Sequence, residues 1–422
     1  MTIRVDTMRR IDHLIGVPLC AILTPLVFLC DLIRSLWTSP LKPPKRVLFI
    51  ELSEMGSAIL VDPAMRETIR RGASIYFLIF KSNEASLNLL QTVPKAHILT
   101  IDSSGLLPLF LSTLKVIIRL RILRVDTVID LELFSRFTAL LTGCSGASKR
   151  VGYHIFHGEG LWRGKLLTHA VHYNPHLHIS KNFLALVHAA FANQIELPFS
   201  KVHIPDHAVR LAQATVTPLE KEIIAQRIKT ALAASNRSVG PVTLPPKIIL
   251  INPNASDLLP QRRWAPQRFA ELIIEAAKCW PEALFLITGS PSEIAYAEHI
   301  RTMVNLPVVI NFAGHVQFEE LPALYHVSDV LVTNDSGPGH FSAVTPLPTV
   351  VLYGPETPAL YGSLGKSIPI YAQLACSPCV SAANHRKTPC IDNQCLQVIQ
   401  VSEVLKAMQT WLNPVSLSTT LD

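Results

Sequence analysis

The feature that most constrains this chain is a repeated rhythm of short apolar runs separated by helix-length stretches. Lys45-Arg46-Val-Leu-Phe-Ile50 reads as a buried strand, Glu51 to Gly56 as a loop and Ala58 to Arg71 as a helix. Ala73 to Phe80, His97 to Ile101 and Thr127 to Leu131 follow as strands at matching spacing. The rhythm then starts again. Lys247 to Asn252 (KIILIN), Ala283 to Gly289, Val308 to Phe312, Val330 to Thr333 and Pro348 to Tyr353 are strands. Phe269 to Cys279, Ser292 to Val304 and Glu319 to His326 fit the helices between them. Strands alternating with helices imply parallel sheets covered on both faces. The expectation is an α/β chain of two Rossmann-like, doubly wound domains facing across a cleft, with ligands beyond the carboxyl ends of the strands. Between the two series, Val151 to about Ile204 reads as irregular and later helical, and Pro205 to about Arg237 as mostly helix. The expected division is therefore 1–44, 45–205, 206–246 and 247–422.

The first 44 residues do not fit this rhythm. Leu14 to Cys30 is a run of 17 residues without a charge. As a straight helix it would cover about 26 Å, short of the roughly 30 Å hydrocarbon core of a bilayer. Pro18 and Pro25 are expected to interrupt it, and Gly16 to weaken it. It runs into Asp31-Leu-Ile-Arg34 rather than a small-residue cleavage site, which argues against a signal peptide. Basic residues flank both sides, so orientation is not fixed by charge. A single span and a re-entrant or interfacial anchor both remain, and either makes the membrane surface a partner. A Pro-rich hinge, Ser39 to Pro44, links it to the globular part. Charged residues are 16% and hydrophobic residues 49%, which excludes a disordered chain. The formal charge of +7 permits an anionic partner. No Arg-aromatic recognition motif accompanies it, and nucleic acid is not expected.

The strongest local signal is Val330-Leu-Val-Thr-Asn-Asp335-Ser336-Gly337-Pro-Gly339-His340-Phe341. A buried strand ends in Asn334 and Asp335, and a Gly-containing turn opens a short helix. Helix N-terminal amides attract phosphate, Gly337 and Gly339 permit close backbone approach, and His340 offers a donor. A capped strand-to-helix turn accounts for the same residues. A second loop, Asn252-Pro-Asn-Ala-Ser256, is followed by Arg262 and Arg263, a residue type suited to gripping phosphate. In a third, Thr288-Gly-Ser-Pro-Ser-Glu293, the carboxylate of Glu293 suits either a ribose hydroxyl or a helix start.

Asn-Pro-x-Ala-Ser, Arg-Arg-Trp-x-Pro, Thr-Gly-Ser, Asn-Asp-Ser-Gly-Pro-Gly-His and Tyr-Gly-Pro-Glu-Thr-Pro together resemble glycosyltransferase family 9, the heptosyltransferases, over about residues 45 to 410. The resemblance implies the GT-B architecture and metal-independent, inverting transfer of heptose from ADP-heptose to the lipopolysaccharide core. It implies sugar-nucleotide binding by Asp335, Ser336, Gly337, Gly339 and His340, a diphosphate grip by Arg262 or Arg263, a phosphate-facing Ser256 and a ribose-binding Glu293. The acceptor would be a lipid-linked saccharide, and the enzyme would work at the cytoplasmic face of the inner membrane, where sugar nucleotides are made. A span with the N-terminus inside would put the domains on the wrong side.

The chain departs from the family pattern in its first loop. Ser57 stands where the best-known members carry the Asp proposed as general base. An alcohol has no useful basicity near neutral pH, so a carboxylate or His must serve. Glu54 is the first choice, Asp62 the second and Asp130 the third. Two alternatives follow: a related transferase using another nucleotide sugar in capsule or O-antigen assembly, or an inactive sugar-nucleotide-binding scaffold.

No cofactor is required by this reading. Cys376, Cys379, Cys390 and Cys395 form a Cys-rich segment in which only the first pair has standard zinc-ligand spacing. Structural zinc there is the lesser reading, and free thiols the greater. His154, His157, His169, His172, His176 and His178 crowd one region without a metal-binding spacing and read as mixed loop polarity.

Overall fold

The computed structural model describes residues 5–37, 42–52, 55–133, 135–154, 156, 161–236, 247–256, 259–381 and 387–413. Glu54, His157 and the Ser238–Pro246 loop lie outside the described residues. Contacts divide the described chain into two units, the first ending at Ala212 and the second beginning at Gln213.

The first unit holds a six-stranded sheet: β1 (Arg46–Ile50), β2 (Ser74–Phe80), β3 (Ile98–Ile101), β4 (Thr127–Asp130), β5 (Lys149–His154) and β6 (His169–His172). All its pairings are parallel, in the order β3-β2-β1-β4-β5-β6. The chain winds outward from β1 to one edge, returns past it and builds the other edge. The reversal leaves a crevice at the carboxyl ends of β1 and β4, the position at which doubly wound sheets bind ligands.

The second unit repeats the winding with β7 (Lys247–Asn252), β8 (Ala283–Ile287), β9 (Val309–Asn311), β10 (Val330–Asn334), β11 (Thr349–Tyr353) and β12 (Ser367–Tyr371). Its order is β12-β11-β10-β7-β8-β9, again all parallel. The corresponding crevice lies between β7 and β10. Strands β7, β8, β10 and β11 are buried along almost their whole length, as expected of strands covered on both faces. Trp264 and Phe269, both fully buried, pack edge to face at 5.1 Å in the core that also contains Ile249, Phe285 and Val332. Each such side chain contributes about 1.5–3 kcal/mol of burial.

Four expectations are corrected. The stretch read as irregular after Val151 contains β5 and β6. Strand β5 hid because two of its buried residues are Lys149 and Arg150. Lys149 Nζ donates to Ala190 O at 2.6 Å, and Arg150 Nε to Leu166 O at 2.6 Å, so the buried cations are satisfied. Strand β12 was not foreseen; it is an edge strand, where Pro369 removes no ladder bond that a neighbour needs. Residues 205–217 are not a regular helix, which forms only over Pro218–Asn236. Finally, the N-terminal run is not broken by its prolines: Gly16–Ser35 is one helix. Pro18 falls in its first turn, where the missing N–H has no intrahelical partner. Pro25 lies inside and costs one backbone bond, and nearby Thr24 Oγ1 donates to Cys20 O at 2.7 Å.

Candidate active site

In the second unit, three neighbouring strands deliver a cation and two carboxylates to one place. Arg262 ends a single 3-10 turn, Pro260–Arg262, in the loop that leaves β7. Asp335 immediately follows β10, and Glu356 lies three residues beyond β11. Arg262 Nη2 lies 2.5 Å from Glu356 Oε2, and its Nε lies 3.6 Å from Asp335 Oδ2. Both carboxylates are almost wholly buried, at 3% and 2% exposure. The second contact is too long for a hydrogen bond, so Arg262 Nε and Asp335 Oδ2 face each other as charges only.

Burial dominates the electrostatics. It pushes the Glu356 carboxyl up to about 7, with Arg262 pulling down and Asp335 pushing up. Burial likewise raises Asp335 against the pull of Arg262. For Arg262, burial opposes the charge, but the two carboxylates outweigh it and the guanidinium stays protonated. The site is a buried guanidinium whose fork is already aimed, flanked by acceptors for hydroxyl groups.

The frame around it is stitched by asparagines. Asn334 Oδ1 accepts from Trp264 N at 3.0 Å, and its Nδ2 donates to Pro253 O at 2.8 Å, locking the β7 and β10 loops together. Asn254 Nδ2 donates to Thr288 O at 3.1 Å, joining the loop after β8. The helix Gly337–Phe341 is only five residues long. A Cβ on Gly337 would sit 2.7 Å from the Phe341 ring, so glycine there serves the tightness of the turn. Gly339 faces β11, with Val351 at ordinary contact distance from where a Cβ would be. His340 is buried, and Ser336 Oγ donates to Asn334 O at 3.2 Å.

Two of the other expected residues, Arg263 and Glu293, are engaged elsewhere. Arg263 turns back on its own loop: its Nε and Nη2 donate to Ala255 O at 3.1 and 2.5 Å, and its guanidinium lies 5.9 Å from the Tyr296 ring centre. Glu293 Oε2 accepts from Ser290 N at 2.6 Å in a capping box, beside Gly289. Ser256 is exposed. Glu356 was missed as a site residue, although the Gly-Pro-Glu segment after an apolar strand carried the signal.

The first unit presents its own polar crevice. Asp130, wholly buried at the end of β4, forms an ion pair with Arg163 and accepts from Thr138 Oγ1 at 3.2 Å and Glu132 N at 3.1 Å. Burial raises its carboxyl to about 6 despite Arg163. Glu132 Oε1 accepts from Leu52 N at 3.1 Å, tying the loops after β1 and β4. Glu51, directly after β1, is also buried. Asp62 has a locking role: its oxygens accept from Arg66 Nε at 2.9 Å, Thr92 Oγ1 at 2.6 Å and Ala212 N at 3.0 Å. Ser57 is buried in the helix Met55–Leu60. At the carboxyl ends of β5 and β6, His154 and Phe156 pack edge to face at 4.8 Å, with His172 at 6.3 Å from the same ring. Among the described residues, no three His, Cys, Asp or Glu side chains are arranged to hold a metal ion. None of the eight cysteines is in a disulfide. Cys395 is raised to about 11, by burial first and by its neighbours Cys379, Cys390 and Cys376 after it.

Residues 113–388 match the family described as glycosyltransferase family 9 (heptosyltransferase). The chain belongs to this family. Its fold is similar to that of Escherichia coli ADP-heptose lps heptosyltransferase II, with a TM-score of 0.65 and 20% identity, covering 87% of this chain and 98% of that one. It is also similar to E. coli heptosyltransferase WaaC solved with ADP-2-deoxy-2-fluoro heptose, with a TM-score of 0.58 and 16% identity over 86% and 99% of the two chains. In sequence it is 24% identical over 170 residues to lipooligosaccharide heptosyltransferase 2 of Campylobacter jejuni. That match spans 39% of this chain and about half, 51%, of the relative.

Proposed function

We propose that this family 9 chain is an inverting, metal-independent glycosyltransferase. It moves a sugar from an ADP-sugar, with ADP-heptose the favoured donor, to a hydroxyl of a lipopolysaccharide-core or other lipid-linked acceptor. The observation that carries the reading is Arg262 buried between Asp335 and Glu356 at the crevice between β7 and β10. Negative charge grows on the diphosphate as the bond to the anomeric carbon breaks. A pre-aimed guanidinium in a dry site stabilises that charge without reorganising. The carboxylates keep Arg262 in place and accept from hydroxyls of the ribose or the transferred sugar. Ser256 and the amides beyond Asp335 line the approach of the phosphates.

The acceptor hydroxyl must lose its proton as it attacks. We assign the base to Glu54, four residues after β1 in the sequence, while Asp130, committed to Arg163, positions the loop after β4. The enzyme would work at the cytoplasmic face of the inner membrane, held there by residues 14–30.

The test is thermal unfolding of the full chain with ADP, UDP, GDP, CMP and their sugars. ADP or ADP-heptose should raise the melting temperature selectively, and Asp335→Ala should remove the shift. Stabilisation by UDP or GDP instead replaces the donor. Turnover lost in Glu54→Gln, with donor binding kept, supports the base. Binding without turnover in the unaltered chain would favour the scaffold reading that Ser57 motivates.

A further inference from the structure

The helix Gly16–Ser35 has only two charged residues, and both turn inward. Asp31 pairs with Arg150, and Arg34 donates to Gly146 O at 3.2 Å and Ala147 O at 3.1 Å. The preceding helix, Val5–Leu14, is pinned the same way: Asp12 Oδ1 accepts from Phe137 N at 2.9 Å, and Oδ2 from Arg136 at 3.2 Å. Cys20 and Val27 are buried against Ala139 and Leu166. Gly164, at a φ of +74°, leaves the space that Thr24 and Cys20 occupy. The long helix is therefore docked lengthwise on the first unit.

Its opposite face is a stripe of Leu19, Ile22, Leu26, Leu29, Ile33 and Leu36, all exposed. Their spacing of three and four residues keeps them on one side. A surface helix of a soluble protein has the reverse arrangement, with apolar residues inward and charges out.

A second helix repeats the pattern. Leu106–Ile122 packs Val116 and Leu120 into the sheet core, where they join Leu141 and Ala147. It exposes Leu106, Leu107, Phe110, Leu111, Leu114 and Ile118. The two helices meet at one turn: Arg121 Nη2 donates to Cys144 O at 3.0 Å, two residues from the Gly146 carbonyl that Arg34 holds. Helix Leu106–Ile122 contains no acidic residue, and Lys115, Arg119 and Arg124 are exposed along and just beyond it. Arg46 reaches the same end through Leu123 O at 3.2 Å.

We propose that Gly16–Ser35 and Leu106–Ile122 form one bilayer-docking surface, in which the first helix lies in the membrane plane instead of crossing it, and a basic rim meets anionic headgroups. The proposal rests on the membrane association suggested above and specifies its mode. A crossing helix would drag Arg150 and its own ion pairs into hydrocarbon. An in-plane helix buries its apolar stripe at the headgroup boundary and leaves every inward contact intact. The rim adds attraction to anionic lipid. The charge pattern selects a lipid surface over a second copy of the chain, which would bring the same cations face to face.

The full chain is mixed with vesicles of phosphatidylcholine, with and without phosphatidylglycerol, and sedimented. The unaltered chain should bind anionic vesicles most strongly. Leu26→Glu with Leu29→Glu, and separately Phe110→Glu with Leu114→Glu, should each lower the bound fraction about tenfold or more. Lys115→Glu with Arg119→Glu should abolish the preference for anionic lipid. All six positions are exposed, so folding is retained and checked by melting temperature. Unchanged binding in the Phe110/Leu114 variant overturns the two-helix surface and leaves membrane association standing. No vesicle binding by the unaltered chain, or its dimerisation through this face in light scattering, overturns both. In a Gram-negative host, an epitope placed before Val5 should resist protease added outside spheroplasts. Cleavage from outside would reveal a span and overturn the in-plane placement.

Discussion

Replacing Glu356 by Gln tests the charge logic of the second unit directly. The side chain keeps its size and an oxygen for Arg262, but loses its titration. Glu356 ordinarily titrates at 4.5 and is pushed to about 7 in the fold. The native state therefore holds this proton where the unfolded chain releases it. Stability from this group is complete below about pH 4.5 and is lost as the pH rises through 7. The gap, 7 − 4.5, is about 2.5, which at about 1.4 kcal/mol per tenfold in proton affinity amounts to about 3 kcal/mol. Asp130, raised to about 6, adds a loss of the same sign in the other unit, so the informative quantity is the difference between the two proteins. Urea unfolding from pH 4 to pH 8, followed by a probe in the second unit, should show the unaltered chain losing about 3 kcal/mol more than Glu356→Gln. Equal slopes in the two proteins would refute the claim that burial holds this proton.

Two further perturbations probe the first unit. Arg163→Ala leaves Asp130 buried without its cation, and removing one partner of a buried pair costs about 3–5 kcal/mol; adding Asp130→Asn should restore part of that, read as the urea midpoint of the first unit. His169, packed on Phe199 at 4.4 Å, is held near 4, chiefly by burial with Lys149 and Arg150 adding to it. Its lowered value means stability is lost as the pH falls from 6.5 through 4, and His169→Gln should flatten that acid limb in a melting-temperature series.

The sheets were legible wherever their strands were apolar. KIILIN reads as a strand because both faces of β7 are covered, and the structure places its ends at Lys247 and Asn252. Strands β5 and β6 escaped because Lys149, Arg150, His169 and His172 break the apolar run, and the partners that satisfy such residues lie far away in sequence. Arg150, for example, answers Asp31, which is 119 residues earlier. The candidate site was legible in its types and only partly in its membership. Adjacent Arg262 and Arg263 are equivalent in the sequence. The 3-10 turn ending at Arg262 sends the first toward Asp335 and Glu356, and the second back to Ala255. Asp335 and Glu356 reach Arg262 only because β10 lies beside β7, three strands earlier in the chain, a neighbour relation that the order of strands does not state.

The N-terminal run shows the same separation between composition and arrangement. By hydropathy, Gly16–Ser35 passes as a membrane span, and its length of 20 residues suffices to cross about 30 Å. A spanning helix gains most when its polar groups lie at its ends. Here Asp31 and Arg34 lie near one end, yet both are consumed by the globular unit, through Arg150 and the Gly146–Ala147 carbonyls. Crossing the bilayer would require breaking those contacts or immersing the buried Arg150 alongside. Arg150 is itself the residue that disguised β5. One guanidinium thus joins β5 to the 161–168 segment that leads into β6, and ties the apolar helix to the sheet. The helix is part of the first unit's architecture before it is an anchor, and its outward stripe is the surface that this architecture leaves over.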